Sequence, residues 1–311
     1  MVILVTGGCG FIGSHLTDLL ITNGHSVRIF DNLSTGKLTN IQQHENSSKF
    51  EFIEGDLRDE KILREVIKDV ETIFHFGAQI DVRRSIRDPI YDADVNIQGS
   101  IQLTQIAVED NVDWFVFAST GGAIYGNSPR LPADEATPTE PESPYGISKL
   151  SFEKYLQFFH QTYGIGTTCL RYANIYGPRQ DPRGEAGVIS IFLSQIMKNE
   201  ALTIFGDGTQ TRDYVFVDDA VKAAYTAYSN QANGIYNIGT GKETSVNELA
   251  SIILETTQAQ NNIIYLPERP GEVQRSCLES GLAKKRFNWQ PKTSLKDGID
   301  RTWAWLKKQD L

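Results

Sequence analysis

Short apolar runs alternate along the chain with longer segments whose apolar residues recur every three or four positions. Val2–Thr6, Ser26–Phe30, Lys49–Ile53, Thr72–Phe76 and Trp114–Ser119 read as strands, with Thr167–Tyr172 as a sixth. Phe11–Asn23, Asp59–Lys68, Pro89–Asp110 and Tyr145–Tyr163 read as helices. The strand runs show little apolar–polar alternation. That predicts burial on both faces, and so a parallel sheet covered by helices on each side. Beyond residue 173 the pattern loosens. Gly177–Gly187 (GPRQDPRGEAG) reads as a loop, Val188–Asn199 as a helix, Leu202–Phe205 as extended, Tyr214–Val217 as a strand and Asp218–Ser229 as a helix. Ser245-Val246-Asn247-Glu248 fits a capping box that opens another helix.

Composition narrows the function classes. The 311 residues are 40% hydrophobic and 22% charged, which is globular rather than disordered. Thirty Lys+Arg against thirty-nine Asp+Glu give a net charge of −9. That balance argues against nucleic acid and against an anionic membrane surface as partners. No run reaches the ~18 apolar residues of a membrane helix. Cys9, Cys169 and Cys277 are too few and too scattered for a disulfide framework or a CxxC site. The five histidines lack HxH or HxxxH spacing, so no metal is expected. The N-terminus has no secretory pattern, and a reduced, cytoplasmic protein is expected.

The first strand runs straight into Gly7-Gly8-Cys9-Gly10-Phe11-Ile12-Gly13, where Gly7, Gly10 and Gly13 are three apart. The first permits a tight turn. The second removes a side chain where a pyrophosphate meets a helix N-terminus. The third lets helix and strand pack closely. Asp31 ends the second strand, where an acid accepts from ribose hydroxyls and repels a 2′-phosphate. NAD is therefore expected over NADP, although Lys37 in Asp31-Asn32-Leu33-Ser34-Thr35-Gly36-Lys37 could meet a phosphate. Asp56 follows the third strand and reads either as a contact at the adenine edge or as a helix N-cap. The expected fold is α/β: a Rossmann-type doubly wound parallel sheet over residues 1–173, with a smaller C-terminal α/β substrate-binding domain over residues 174–311. A segment of about 213–240 is expected to return to the first domain.

Tyr145-Gly146-Ile147-Ser148-Lys149 places Tyr and Lys at i and i+4, on one helix face. A phenol with a pKa near 10 is a poor base at neutral pH. A neighbouring ammonium stabilises the phenolate and makes the pair a general acid/base. A hydroxyl is needed to hold the reacting oxygen. Ser119 and Thr120, at the end of the fifth strand, are the two candidates, with Thr120 favoured.

Taken together, GGCGFIGS, the DNLS turn, STGGAIYG, SPYGISK and RYANIYGPRQ resemble the extended short-chain dehydrogenase/reductases. The later segments GEAGVISIF, IFGDGTQTRDYVFVDD and ERPGEV narrow the resemblance to nucleotide-sugar enzymes, and most of all to UDP-glucose 4-epimerases. The resemblance implies that Gly7, Gly10, Phe11, Ile12, Asp31, Asn32, Ser34, Gly36, Asp56, Leu57 and Lys149 contact NAD. It adds Phe76, Ala78, Gln79, Asn96 and Tyr172 as cofactor-proximal positions. It implies that Asn174, Arg212 and Arg269 bind a diphosphate and that Glu272 binds the uridine ribose. Arg83 and Arg84 are weaker candidates. Ser276 matches a position that limits the sugar pocket, and its small side chain implies room for N-acetylated sugars. One departure stands out: the position four residues before Tyr125, more often Ser or Thr in the family, is Gly121.

The mechanism implied is a hydride lent from sugar C4 to NAD and returned to the other face of the 4-keto sugar, with Tyr145 moving the proton. Gly121-Gly122-Ala123 supplies no acid for dehydration or decarboxylation chemistry, which favours simple 4-epimerisation of a UDP-sugar. A UDP-uronate epimerase, a net nucleotide-sugar oxidoreductase and a non-catalytic NAD-binding protein remain as alternatives. The resemblance also implies a homodimer, with part of the Pro89–Asp110 and Tyr145–Tyr163 helices at its interface.

Overall fold

A computed structural model describes residues 2–182, 187–268 and 273–309. The first part runs β1 (Val2–Thr6), α1 (Phe11–Thr22), β2 (Ser26–Asp31), β3 (Phe50–Glu54), α2 (Glu60–Val66), β4 (Val70–His75), α3 (Val82–Arg87), α4 (Pro89–Ala93), α5 (Ser100–Glu109), β5 (Trp114–Thr120), α6 (Gly121–Ile124), α7 (Pro144–Tyr163) and β6 (Gly166–Tyr172). The rest runs β7 (Asn174–Tyr176), α8 (Val188–Met197), β8 (Leu202–Phe205), β9 (Thr211–Arg212), β10 (Tyr214–Phe216), α9 (Val217–Ser229), β11 (Gly234–Ile238), β12 (Thr244–Ser245), α10 (Val246–Thr257), β13 (Ile263–Leu266), α11 (Gly281–Phe287) and α12 (Leu295–Gln309).

Seven strands form one parallel sheet in the order β3-β2-β1-β4-β5-β6-β11. The chain moves outward from β1 to β3, then crosses back to β4, so the winding reverses between β1 and β4. Sheets of this kind bind ligands at that crevice. Every residue of β6 is buried, as in a strand covered by helices on both faces. One apolar layer gathers Leu16, Leu20, Ala220 and Ala224 beneath α1 and α9. The other gathers Leu63, Ile106, Phe152 and Leu156 beneath α2, α5 and α7. Among the described residues, no helix is long and apolar enough to cross a membrane.

The helix expected over Pro89–Asp110 is interrupted: α4 passes into a π-turn at Asp94–Gly99 before α5 begins. The apolar period continues through the break and gives no sign of it. The cause is tertiary: the Asn96 side chain bonds the backbone N–H and C=O of Gln79, both at 2.8 Å. α3, α11 and α12 have no counterpart in the sequence reading, and strand β11, within the segment of about 213–240, pairs with β6. α3 and α11, of six and seven residues, are too short for a helical period to show.

Candidate active site

Gly7 sits at φ +67°, and a Cβ there would lie 2.7 Å from Gly77 N, where the β1 and β4 loops meet. A Cβ on Gly13 would lie 2.2 Å from Gly7 O, so only glycine fits. Gly10 is different. Its nearest obstacle is Gly7 O at 3.1 Å, which leaves its outer face open to a ligand. Gly10 caps α1 without any side-chain bond, and the first-turn N–H groups, those of Phe11 and Ile12 among them, have no intrahelical partner. This is a cradle for a pyrophosphate.

Asp31 stands beside that cradle, largely buried. Its Oδ2 accepts from Cys9 N at 3.0 Å and its Oδ1 from Leu33 N at 2.8 Å. Burial pushes its carboxyl pKa up, and those two N–H bonds act the other way. Gly36 packs against the carboxylate, where a Cβ would meet Oδ2 at 2.9 Å. Ser34 N bonds Asn32 Oδ1, and Asn32 Nδ2 reaches Asp56 at 2.8 Å. Asp56 does not cap α2; Asp59 does, accepting from Lys61 N and Ile62 N. Arg58 grips the Asp56 carboxylate and holds its pKa down at about 2. Lys37 is paired with Asp181 at 3.0 Å.

At the next strand ends, Phe76 stands against Tyr172, ring centroids 6.5 Å apart. Leu57 is buried in the layer beneath α2, and Ala78 lies half-buried beside Gln79. The Tyr172 hydroxyl donates to Ala220 O at 3.3 Å, and burial raises its pKa. α7 begins at Pro144 because Ser143 accepts from Gly146 N and proline fits the first turn. Lys149 is buried, with Nζ donating to Ala118 O at 3.0 Å and lying 5.9 Å from the Tyr145 ring centroid. Burial pushes its ammonium down to about 8. Tyr145 is half-buried, and its backbone N–H donates to Ser85 Oγ at 3.1 Å.

The two candidate hydroxyls part company here. Ser119 is buried on the α7 side of β5 and donates to Glu153 Oε1 at 2.6 Å. Glu153 also takes Arg171 through Nε and Nη2, the latter at 2.6 Å, and Arg171 Nη1 donates to Tyr125 at 2.8 Å. Thr120 points the other way, half-buried, at the N-cap of α6 without a capping bond. Gly121 packs against Leu278: a Cβ there would lie 2.4 Å from Cδ1, so a larger residue needs the Leu278 side chain to shift. Across the turn, Asn174 Oδ1 is buried without a hydrogen-bond partner among the described residues, and so is the Tyr214 hydroxyl. A buried polar atom without a partner calls for one, and a ligand atom is one way to supply it.

Arg212 and Ser276 come together from distant sequence. Ser276 N donates to Thr211 O at 3.2 Å, and Arg212 Nη1 donates to Thr211 O at 2.8 Å. Asp213, missed in the sequence, organises this region: its carboxylate accepts from Thr240 and Gly241 N–H groups and from Leu278 N at 3.2 Å. Arg269 and Glu272 lie outside the described residues. Arg84 packs over the Tyr91 ring at 4.0 Å, and Arg83 lies on α3. Also missed were the buried Asp92, Ser148, Glu153 and Arg171. Polar residues within amphipathic helices, and the lone Arg171 of β6, carry no local sign of burial. The three cysteines are free and buried, and burial keeps their thiols protonated.

The family described as NAD dependent epimerase/dehydratase matches residues 3–239. This chain belongs to that family. It is an NAD-dependent enzyme of the UDP-glucose 4-epimerase-like group, and the glycine cradle with Asp31 fits the cofactor. A UDP-glucose 4-epimerase of Mycolicibacterium smegmatis is 42% identical over 98% of both chains. A UDP-glucose 4-epimerase of Thermotoga maritima, solved with UDP-glucose, is 44% identical over 100% of both chains with a TM-score of 0.95. A UDP-glucose 4-epimerase of Thermus thermophilus, solved with NAD, is 38% identical over 99% of both chains with a TM-score of 0.92.

Proposed function

We propose that the protein is an isomerase that inverts C4 of a UDP-hexose, interconverting UDP-glucose and UDP-galactose. The observation that carries this is the buried Lys149 ammonium against the Tyr145 ring, at the carboxyl end of β5, beside a turn that holds no acid. Bound NAD supplies a reversible hydride acceptor. Tyr145 takes the proton from the 4-hydroxyl and later returns it to the carbonyl oxygen. Lys149 lowers the phenol pKa, because a cation a few ångströms away favours the phenolate. Thr120 orients the sugar oxygen, since Ser119 is tied to Glu153. Gly7, Gly10, Phe11, Ile12, Gly13, Asp31, Asn32, Ser34, Gly36, Asp56, Leu57, Phe76, Ala78, Gln79, Asn96 and Tyr172 form or support the NAD cleft in this reading. Asn174, Arg212, Arg269 and Glu272 hold the UDP, so most of the substrate contacts fall in residues 174–311. Binding held on the nucleotide leaves the sugar free to turn over.

Ser276 is small and buried beside Arg212, which supports tolerance of a 2-acetamido group. Two helices also support a homodimer. Ile147, Tyr155 and Phe158 stand exposed along α7, and Ile90 on α4 is 81% exposed. Leu103, Ile106 and Phe159 instead face the core. The test is proton NMR of purified protein with UDP-galactose and no added NAD. UDP-glucose should appear. No turnover, even after NAD is added, would refute the reading.

A further inference from the structure

Asp92 is fully buried, yet among the described residues no cation is bonded to it. Its Oδ1 accepts from Gln79 Nε2 at 2.8 Å and from Asn96 Nδ2 at 3.1 Å. Its Oδ2 accepts from Ser148 Oγ at 2.6 Å. All three donors are neutral. A carboxylate taken out of water needs a compensating cation as well as hydrogen bonds. Lys149 is the mirror case: a buried ammonium whose Nζ is bonded to the neutral Ala118 carbonyl. It follows Ser148 in the chain. The other carboxylate near Lys149 is Glu153, one turn along α7, but the Arg171 guanidinium already cancels that charge at 2.6 Å. The other titratable groups facing Lys149 are His75, which burial keeps unprotonated with its pKa near 3, and the Tyr145 phenol.

We infer that Asp92 is a positioning residue for the catalytic pair: its carboxylate is the net countercharge of the Lys149 ammonium and, through Ser148, fixes the turn of α7 that carries Tyr145 and Lys149. The same carboxylate ties that helix to the π-turn through Asn96 and to the β4 loop through Gln79. The chemical roles of Tyr145 and Lys149 rest on the reading proposed above; the charge pairing does not. Burial lowers the Lys149 pKa to about 8, with Asp92 the largest influence in the opposite direction and Glu153 the next.

Asp92→Asn tests the charge with little change of shape. The amide oxygen still accepts from Gln79 and Asn96, and its NH2 donates to a Ser148 hydroxyl that turns to accept. The Lys149 titration is followed by NMR in NAD-loaded, [13C]lysine-labelled protein, with the signal identified by its loss in Lys149→Met. The midpoint should fall in Asp92→Asn, as removal of an opposite charge requires. The alkaline limb of kcat should move the same way. An unmoved midpoint, or a kcat lowered by one factor at every pH, would overturn the inference. Should Asp92→Asn fail to fold, Asp92→Ser removes the same charge, and the Lys149 midpoint should fall there too. An unmoved midpoint there also overturns it. Neither NMR measurement needs turnover, so a failed epimerase assay would leave them standing.

Discussion

Replacing Arg171 by methionine would strip the guanidinium from a carboxylate with no access to water. The Glu153 side chain is 0% exposed and the Arg171 side chain 4% exposed, with Nη2 2.6 Å from Oε2. Removing one partner of such a pair leaves an uncompensated buried charge, at a cost of about 3–5 kcal/mol. Unfolding entropy is about 2.1 cal/mol/K per residue, or roughly 0.65 kcal/mol/K for 311 residues. The melting temperature should therefore drop by roughly 5–8 °C at pH 7 with saturating NAD. Ser119 alone would then donate to Glu153. The double variant Glu153→Met with Arg171→Met removes both charges and should recover at least half of that loss, because apolar packing replaces the pair at little or no cost. Thermal unfolding followed by circular dichroism measures all three proteins. A single variant within about one degree of wild type would show that the pair is not desolvated as its burial indicates. A double variant no better than the single would show that lost packing, not the stranded charge, sets the penalty.

Thr120→Ala should lower kcat about 100-fold, the cost of losing one positioned hydrogen bond to the reacting oxygen; Ser119→Ala should lower the melting temperature with kcat near wild type, and the opposite ranking would reverse the assignment. His75 has its pKa lowered from 6.5 to about 3, chiefly by burial, and bonds Thr6 and Ser100. The unfolded chain therefore binds more protons between those values, and stability present above pH 6.5 is lost as pH falls toward 3. His75→Gln should flatten the fall in melting temperature between pH 7 and pH 5, and an equally steep fall would remove His75 as its cause. Ser276→Tyr should abolish turnover of UDP-N-acetylgalactosamine while sparing UDP-galactose, as NMR rates will show; equal loss of both would refute the pocket assignment.

The sequence by itself determined the nucleotide half of this protein. Continuous apolar strands could be buried only between two helical layers. Gly7, Gly10 and Gly13 stand at one spacing between a strand run and a helical one, and Tyr145 and Lys149 share a face because a helix repeats every 3.6 residues. Each of these signals is local, so each was legible. Tertiary structure decided the rest. Ser119 and Thr120 are adjacent and chemically alike. Only the fold separates them: Ser119 is bound to Glu153, while Thr120 stands half-buried at the N-cap of α6 without a capping bond. Gly121 reads as a departure until Leu278, more than 150 residues away, is seen filling the space of its missing side chain. The break at Asp94–Gly99 follows from the Asn96 amide reaching the Gln79 backbone, not from the helical period. Asp92, Glu153 and Arg171 look like surface charges in sequence. They become the polar interior of the site because the strands and helices that carry them are distant along the chain, and a charge is buried only where the fold brings its partner.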